Sequence, residues 1–528
     1  MQDNFIQNKW EYTVPLAFSL SLILTCIIIS GKTYFWMDEL LSFYFVNDPS
    51  FTNMITALSD TINSSPPLYF VLGWIWSKIF TASELSLRLF SSLSICFAQT
   101  IVWLTLRRTY NFWAASLGTL IGFVSIQILF QNNQARFYGL FIAVCALGFM
   151  QFDALCRQRY KYSNSGLLVN IFIHIAMTYT HFYGFLYSGA TLFALIVSDK
   201  YFRIFRPRVY ASFILAWLAF IPWLPAFIRQ SKLGTWMSKP DLSDLVNSFN
   251  NWTPNFFLPI LLIVLCLILV IKPKGIYNFS HTKKKDINIS LLILASSWFS
   301  ISILTWLVSI SLQPIFLQRY LLPAQISWSI LLSYLFSYLS YPTFKLERKS
   351  LSANVWMLCV VIGIVFLLLK PVYSANKMIP HVKPGANDYK YGYNNLPIVT
   401  EFSGNFLERF NYYVNNQNNP YMFILDREIA LDKKNWTYVS YQNKLMDALA
   451  RNYSSIFHKN IVNSQDFLNN HPRFLVLSFT TLNDSCLAID LNCLRRWFHR
   501  RIEKNSKYRI SQLGVVDDNR TLFLVETK

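Results

Sequence analysis

Apolar runs of about 18 to 20 residues recur from Val14 through Leu369 and stop at Lys370, and that is the length a helix needs to cross roughly 30 Å of hydrocarbon. A chain of 528 residues that is 53% hydrophobic and only 14% charged exceeds what a soluble core uses. The fold class read from this is a polytopic α-helical membrane domain over residues 1–370, followed by a soluble domain over 371–528 that is polar and mixed in charge. The first run, Val14 to Ser30, has one nearby upstream Lys and no small-residue cleavage pattern behind it, so it reads as a retained helix.

The net charge of +20 is the usual footprint of nucleic-acid binding, but its placement argues against that partner. The basic residues cluster in short loops: Arg107 and Arg108; Arg157, Arg159 and Lys161; Lys200, Arg203, Arg206 and Arg208; Lys272, Lys274 and Lys283 to Lys285; Lys345, Arg348 and Lys349. Positive residues in short loops mark the cytoplasmic side. Placing them inside gives eleven crossings, near 14–31, 86–106, 112–130, 137–155, 164–180, 183–198, 209–229, 254–271, 288–311, 320–341 and 353–370. The N-terminus is then inside and the C-terminal domain outside a plasma or inner membrane. Pro66 to Phe80 is apolar but short, and counting it as a crossing would invert every later basic loop; Trp74, Trp76 and Lys78 suit a helix lying at the outer interface. The loop 32–85 becomes large, external and membrane-hugging. Six of the eight cysteines lie in or beside apolar runs as small buried hydrophobes, whereas an external Cys486 and Cys493 are free to form a disulfide.

This topology gathers unusual polar residues on the outer side. Asp38 and Glu39 begin the first outer loop, Arg136 sits in the second (QNNQARFYG), His181 in the third (YTHFYG), Lys232, Trp236 and Lys239 in the fourth, and Arg319 in the fifth (FLQRYLLP). Tyr69, after the Pro-Pro pair, and Tyr138, beside Arg136, join them as substrate-site candidates. Each has a bland counterpart. The acid pair is either a solvated helix end or a source of the carboxylate that deprotonates a hydroxyl. Arg136 and Arg319 are either interface anchors or, through the forked guanidinium, phosphate clamps. His174 and His181 share a helical face seven residues apart, which admits a metal pair, but a packed His174 with only His181 facing the site is the simpler reading. Gly31-Lys32-Thr33 ends like a P-loop, but Cys26 stands where its first Gly must be. No HExxH, CxxC pair or GxSxG motif occurs.

In order, WMDELLSFYF, SPPLYFVLGWIWSKIFTASELSLRLFSSL, QARFYGL, THFYGFLY and QRYLLP, spread over residues 36–323, resemble the signature segments of glycosyltransferase family 39 and its relatives. These include the protein O-mannosyltransferases and lipid A aminoarabinose transferases of the GT-C superfamily. The resemblance implies an integral-membrane fold with juxtamembrane helices in the first external loop, and transfer from a polyprenyl- or dolichyl-phosphate sugar. It also implies Asp38 as the base, Glu39 as its neighbour in the acidic motif, and Arg136 and Arg319 on the phosphate. Ser65 departs from the His or Lys that many relatives carry before the Pro-Pro pair, so the resemblance does not carry over a phosphate contact at that position. The C-terminal domain resembles the family's variable external domains only loosely. Its pattern reads α/β, with strands at 397–401, 421–425, 473–478 and 521–526 and helical NFLERFNYYV and YQNKLMDALARNY between.

The expected chemistry is one displacement at the anomeric carbon, inverting it, with Asp38 as base and the arginines compensating the leaving phosphate. No cofactor is required, no metal-ligand cluster is evident, and Asp38 with Glu39 has the oxygen chemistry for a divalent cation. The expected partners are the polyprenyl-phosphate sugar, the bilayer and an acceptor the sequence does not name. A transporter or lipid-linked sugar flippase fits eleven helices too, but transporters carry ionisable residues at midmembrane and repeated halves, and neither is visible here. A non-catalytic receptor would leave the acids and arginines without a joint role.

Overall fold

The computed structural model describes residues 9–159, 162–233, 237–250, 282–345, 351–413, 418–426, 437–480, 496–517 and 520–528. The expected helix at 254–271, Trp236, and the pair Cys486 and Cys493 lie outside them. In chain order the helices up to residue 231 are α1 (Thr13–Ser30), α2 (Met37–Val46), α3 (Phe51–Leu58), α4 (Leu68–Phe80), α5 (Glu84–Arg107), α6 (Phe112–Phe123), α7 (Ile126–Asn132), α8 (Tyr138–Arg157), α9 (Asn164–Thr180), α10 (Tyr183–Tyr201), α11 (Pro207–Leu218) and α12 (Leu224–Ser231). There follow α13 (Leu242–Asn250), α14 (Thr282–Ser311), α15 (Ala324–Lys345) and α16 (Leu351–Lys377). The chain divides into two compact bodies: Met1–Lys32, Pro66–Leu224 and Ser238–Ile379 form one, and Thr33–Ser65, Pro225–Met237 and Pro380–Lys528 form the other.

The first body is helical because its apolar runs are punctuated by good caps. The side chains of Ser83, Asn111 and Ser125 accept from the N–H groups of Ser86, Ala114 and Ile128, each satisfying one of the orphan donors at a helix start. Ser125 also explains a departure from the expected single helix at 112–130. Its extended backbone starts a new helix, so α6 and α7 meet at a bend of 71°. Likewise, the expected 209–229 helix spreads over α11, a 3-10 turn at Ile221–Trp223 and α12, where Pro222 and Pro225 have no N–H to donate. The expected 320–341 helix begins only at Ala324, after a 3-10 turn at Gln318–Leu321. At the other end, α16 runs through Pro371 to Lys377, past the boundary at 370, and Lys32 Nζ donates to the carbonyls of Ala375, Asn376 and Met378 at its end.

Five segments among the described residues are long and apolar enough to cross a membrane: Trp10–Ser30, Glu84–Arg107, Tyr138–Arg157, Pro207–Ser231 and Asp286–Ser311. The bent α6 and α7 make a sixth if taken as one span. By contrast α4, with 13 residues, reaches only about 20 Å at 1.5 Å per residue, short of the hydrocarbon thickness. The helices pack through small and polar residues, as expected where lipid removes the hydrophobic drive between helices. A Cβ on Gly118 would lie 2.1 Å from Ser333 Oγ and one on Gly122 2.2 Å from Ser329 Oγ, so α6 meets α15 backbone to backbone. Gln99 Nε2 of α5 donates to Pro15 O and Ser19 Oγ of α1 at 2.9 and 2.8 Å.

The second body is built on six strands, β1 (Ile398–Thr400), β2 (Tyr421–Leu425), β3 (Ile461–Asn463), β4 (Arg473–Phe479), β5 (Tyr508–Asp517) and β6 (Arg520–Thr527), in the spatial order β3-β2-β1-β4-β6-β5. The helices between them are α17 (Ser403–Tyr412), α18 (Thr437–Asn452), α19 (Ser454–Phe457), α20 (Ser464–Asn470) and α21 (Trp497–Glu503). The first four strands are parallel and joined by helices; β6 and β5 are antiparallel additions. The core packs Val399, Ile424, Phe467, Phe474, Val476, Phe498, Ile502 and Val525. This is the α/β domain expected, with two strands unforeseen. β3 has only three residues, and β5 is polar and interrupted by irregular register around Gly514, so neither shows a clean period of two. Arg409 of α17 ties the domain's leading segment to the sheet, donating to Asp388 at 2.7 Å and to Asp517 at 2.6 Å.

The strand order reverses between β1 and β4, and a buried polar cluster occupies the carboxyl ends of these strands. Glu401 accepts from Ser478 Oγ at 2.8 Å and from the His499 N–H, and Arg496 donates to His499 Nε2 at 2.9 Å. Burial pushes the Glu401 carboxyl up to about 7 from 4.5, and burial with help from Arg496 pushes the His499 imidazole down to about 3 from 6.5. The raised Glu401 gives stability that is present below pH 4.5 and lost as pH rises through 7; the depressed His499 gives stability that is present above 6.5 and lost as pH falls through 3. The two slopes oppose each other between. Glu401→Gln removes the falling contribution, so relative to wild type the variant gains thermal stability as pH rises from 5 to 8. Melting curves of the full chain in detergent across this range check it; an unchanged pH profile contradicts a buried, protonated Glu401.

Candidate active site

The two acids of the first outer loop part company on folding. Thr33 to Trp36 is extended and α2 begins at Met37, which puts Asp38 and Glu39 in the first turn, where carboxylates complement the helix dipole. Glu39 is buried and its carboxylate accepts from the Trp36 N–H at 3.4 Å, the returning half of a capping box. Asp38 is half-buried, and its carbonyl accepts from Ser42 Oγ at 3.2 Å. Of the pair, Asp38 is the more exposed residue, while Glu39 is buried at the start of the helix.

Arg136 and Arg319 come together in the first body, around one ring. Arg136 lies in the turn between α7 and α8, where its carbonyl accepts from Ser91 Oγ of α5 at 2.9 Å. Its guanidinium carbon is 5.0 Å from the Phe137 ring and 6.0 Å from Tyr138. Arg319, in the 3-10 turn before α15, lies 5.8 Å from the same Tyr138 ring and 5.9 Å from Tyr320. The two guanidinium groups are therefore at most about 12 Å apart. Aromatic faces stabilise such cations, and a phosphate placed between them gains from both.

His181 closes this cluster, its ring 5.0 Å from Phe137, 5.1 Å from Phe141 and 4.6 Å from Tyr320. Its Nδ1 accepts from the Tyr183 N–H at 3.1 Å, which leaves the proton of the neutral ring on Nε2. Tyr69 is buried and joins through its ring, 6.3 Å from Phe137 and 5.7 Å from Phe90. The local backbone is as tight as the cluster: a Cβ on Gly139 would stand 2.4 Å from the Ser91 carbonyl. Only glycine lets α8 approach α5 this closely next to Arg136.

The remaining candidates fall elsewhere. Asp38, Glu39 and Lys232 belong to the second body, where Lys232 is exposed and its carbonyl accepts from Lys444 Nζ at 2.9 Å. His174 is fully buried against Phe213, ring to ring at 4.2 Å, with neither nitrogen hydrogen-bonded among the described residues. No group of three His, Cys, Asp or Glu able to hold a metal occurs among the described residues.

Two site features were not singled out from sequence. Arg88 is buried, one turn before Ser91 on α5; the signal was a cation set within an apolar segment, where charge is costly without a purpose. An apolar groove of about 280 Å³ runs between α4, α5 and α8, lined by Trp76, Phe90, Phe97, Leu140, Val144 and Leu147. Phe90 in its lining is 5.7 Å ring to ring from Tyr69, whose ring is 6.3 Å from Phe137, so aromatic contacts connect the groove to the arginine cluster. Trp76 Nε1, donating to Ser86 O at 3.1 Å, pins α4 along it.

No family model matches the chain, and no curated protein matches it. Among solved structures, ArnT from Cupriavidus metallidurans bound to undecaprenyl phosphate aligns with 96% of this chain and 97% of its own, at a TM-score of 0.54 and 11% identity. The apo state of the same protein aligns over the same shares at a TM-score of 0.52 and 12% identity. An oligosaccharyltransferase from Archaeoglobus fulgidus, tethered with an acceptor peptide, aligns with 90% of this chain and 69% of its own at a TM-score of 0.44 and 12% identity. What this chain shares with ArnT is the fold, over nearly the full length of both.

Proposed function

We propose that this chain is an integral-membrane glycosyltransferase that takes its sugar from a polyprenyl-phosphate donor and delivers it, with inversion, to an acceptor hydroxyl on the extracytoplasmic face. The observation that carries this reading is the pairing of two arginines around Tyr138 with an apolar groove alongside. A pair of cations with an apolar groove suits a phosphate on a long apolar tail. The undecaprenyl phosphate bound by ArnT supports the same choice of donor.

In this reaction the acceptor oxygen attacks the anomeric carbon as the bond from that carbon to the phosphate oxygen breaks. Asp38 takes the hydroxyl proton, and the electron pair leaves on the phosphate, whose charge Arg136 and Arg319 offset. Phosphate needs no added proton to depart, so a site with one base and two cations is sufficient and no metal is called for. The second body, including residues 380–528, belongs outside the membrane in this reading, and the basic loops inside.

The test is a transfer assay in proteoliposomes, with a panel of labelled polyprenyl-phosphate sugars and membrane extract as acceptor. Label moving to an acceptor with release of polyprenyl phosphate is the expected result. Folded protein that moves no label from any donor, yet equilibrates the lipid-linked sugar across the bilayer, overturns the reading in favour of a flippase.

A further inference from the structure

The acid-bearing helix is gripped at its start by the C-terminal domain. The N–H groups at the beginning of a helix have no partner within it, and α2 borrows acceptors from far along the chain. Phe35 N–H donates to Tyr412 Oη at 2.7 Å and Met37 N–H donates to the Glu408 carboxylate at 3.2 Å. Between them Trp36 N–H goes to Glu39, so three consecutive N–H groups leading into Asp38 have side-chain acceptors. Farther along α2, Tyr44 Oη donates to Asn411 at 3.3 Å and its ring packs edge-on against Phe457 at 5.1 Å. Glu408, Asn411 and Tyr412 are spaced three and four apart on α17, and therefore share one face.

We propose that Glu408 and Tyr412 are positioning residues for the transfer reaction, fixing the start of α2 so that the Asp38 carboxylate meets the acceptor hydroxyl at a set distance and angle. The inference rests on the function proposed above. It gives the C-terminal domain a part in the chemistry that its sequence does not disclose: it carries the base. Proton abstraction depends steeply on such geometry, a misplacement of about 1 Å costing on the order of 100-fold in rate. Neither residue needs to touch substrate to have that effect.

The experiment compares full-length wild type, Glu408→Ala, Glu408→Gln and Tyr412→Phe in proteoliposomes, together with each change combined with Asp38→Asn. Glu408→Ala and Tyr412→Phe are expected to lower kcat about 10- to 100-fold with KM for the donor unchanged, because the phosphate contacts are untouched. Glu408→Gln keeps an acceptor for the Met37 N–H and restores most of the rate. On the Asp38→Asn background the same changes cost nothing further, since the group they position is gone. Hydrogen exchange supplies a readout independent of activity: amides 35 to 37 exchange faster in Glu408→Ala and Tyr412→Phe while melting temperatures hold. Faster exchange with unchanged kcat overturns the positioning role even if Asp38→Asn is inactive. Full transfer activity in Asp38→Asn removes the base and the positioning role with it, whereas wild type that moves no label from any donor brings down the underlying function, so the two failures are distinct.

Discussion

Asp38→Asn is expected to lower kcat for sugar transfer at least about 1,000-fold, while binding of the polyprenyl-phosphate donor stays within about twofold of wild type. A positioned base contributes on the order of 100- to 10,000-fold, and asparagine keeps the shape of the side chain but cannot take a proton. The companion change separates the two neighbouring acids. Glu39 is buried and accepts from the Trp36 N–H, and a glutamine oxygen accepts that bond as well, so Glu39→Gln retains transfer to within a few-fold, while Glu39→Ala lowers stability by about 1 kcal/mol through loss of the cap. Single-turnover rates with a labelled donor, and donor binding followed by displacement of a fluorescent polyprenyl phosphate, check both. Equal loss in Asp38→Asn and Glu39→Gln means the pair acts as one unit, and undiminished turnover in Asp38→Asn removes it from the reaction.

What the sequence discloses follows from which forces act locally. Apolar length and basic loops depend on the chain's own residues, so α1, α4 to α6, α8 to α11 and α14 to α16 are legible as a series, whereas the short α2, α3 and α13 inside the outer loops are not; the central strands β1, β2 and β4 are legible too, because their apolar runs stand out against polar surroundings. Misplaced ends trace to single residues: Ser125 starts a helix where an unbroken apolar run continues, and Pro222 and Pro225 divide another. The arginines were legible as isolated cations at helix mouths, but their meeting around Tyr138 is a tertiary fact, produced by the Gly139 approach to Ser91 and by a 3-10 turn almost 200 residues later. Glu408 and Tyr412 were not legible at all. Within NFLERFNYYV they look like the polar face of an ordinary surface helix, and only the fold brings Met37 and Phe35 to them.

The arginines offer the sharpest choice between the two readings their sequence context allows. An interface anchor needs only a long stem and a positive tip, and lysine supplies both. A phosphate clamp uses the planar fork, which lysine lacks. Arg136 is 5% exposed, and its guanidinium is packed against aromatic rings rather than reaching for headgroups, which already disfavours anchoring. Arg136→Lys and Arg319→Lys should therefore each lower kcat/KM by about 10- to 100-fold, and the alanine variants by about 100- to 1,000-fold, the range for losing a donor aimed at developing negative charge. In the proposed reaction both side chains bear on one phosphate, so the double alanine variant is expected to fall well short of the product of the singles. Inhibition by polyprenyl phosphate, the product, weakens in parallel, whereas inhibition by an uncharged polyprenol does not change. Lysine variants with wild-type rates and unaltered product inhibition return both residues to the role of anchors, and the leaving phosphate would then need its charge met elsewhere, with the buried Arg88 of α5 the next cation to test.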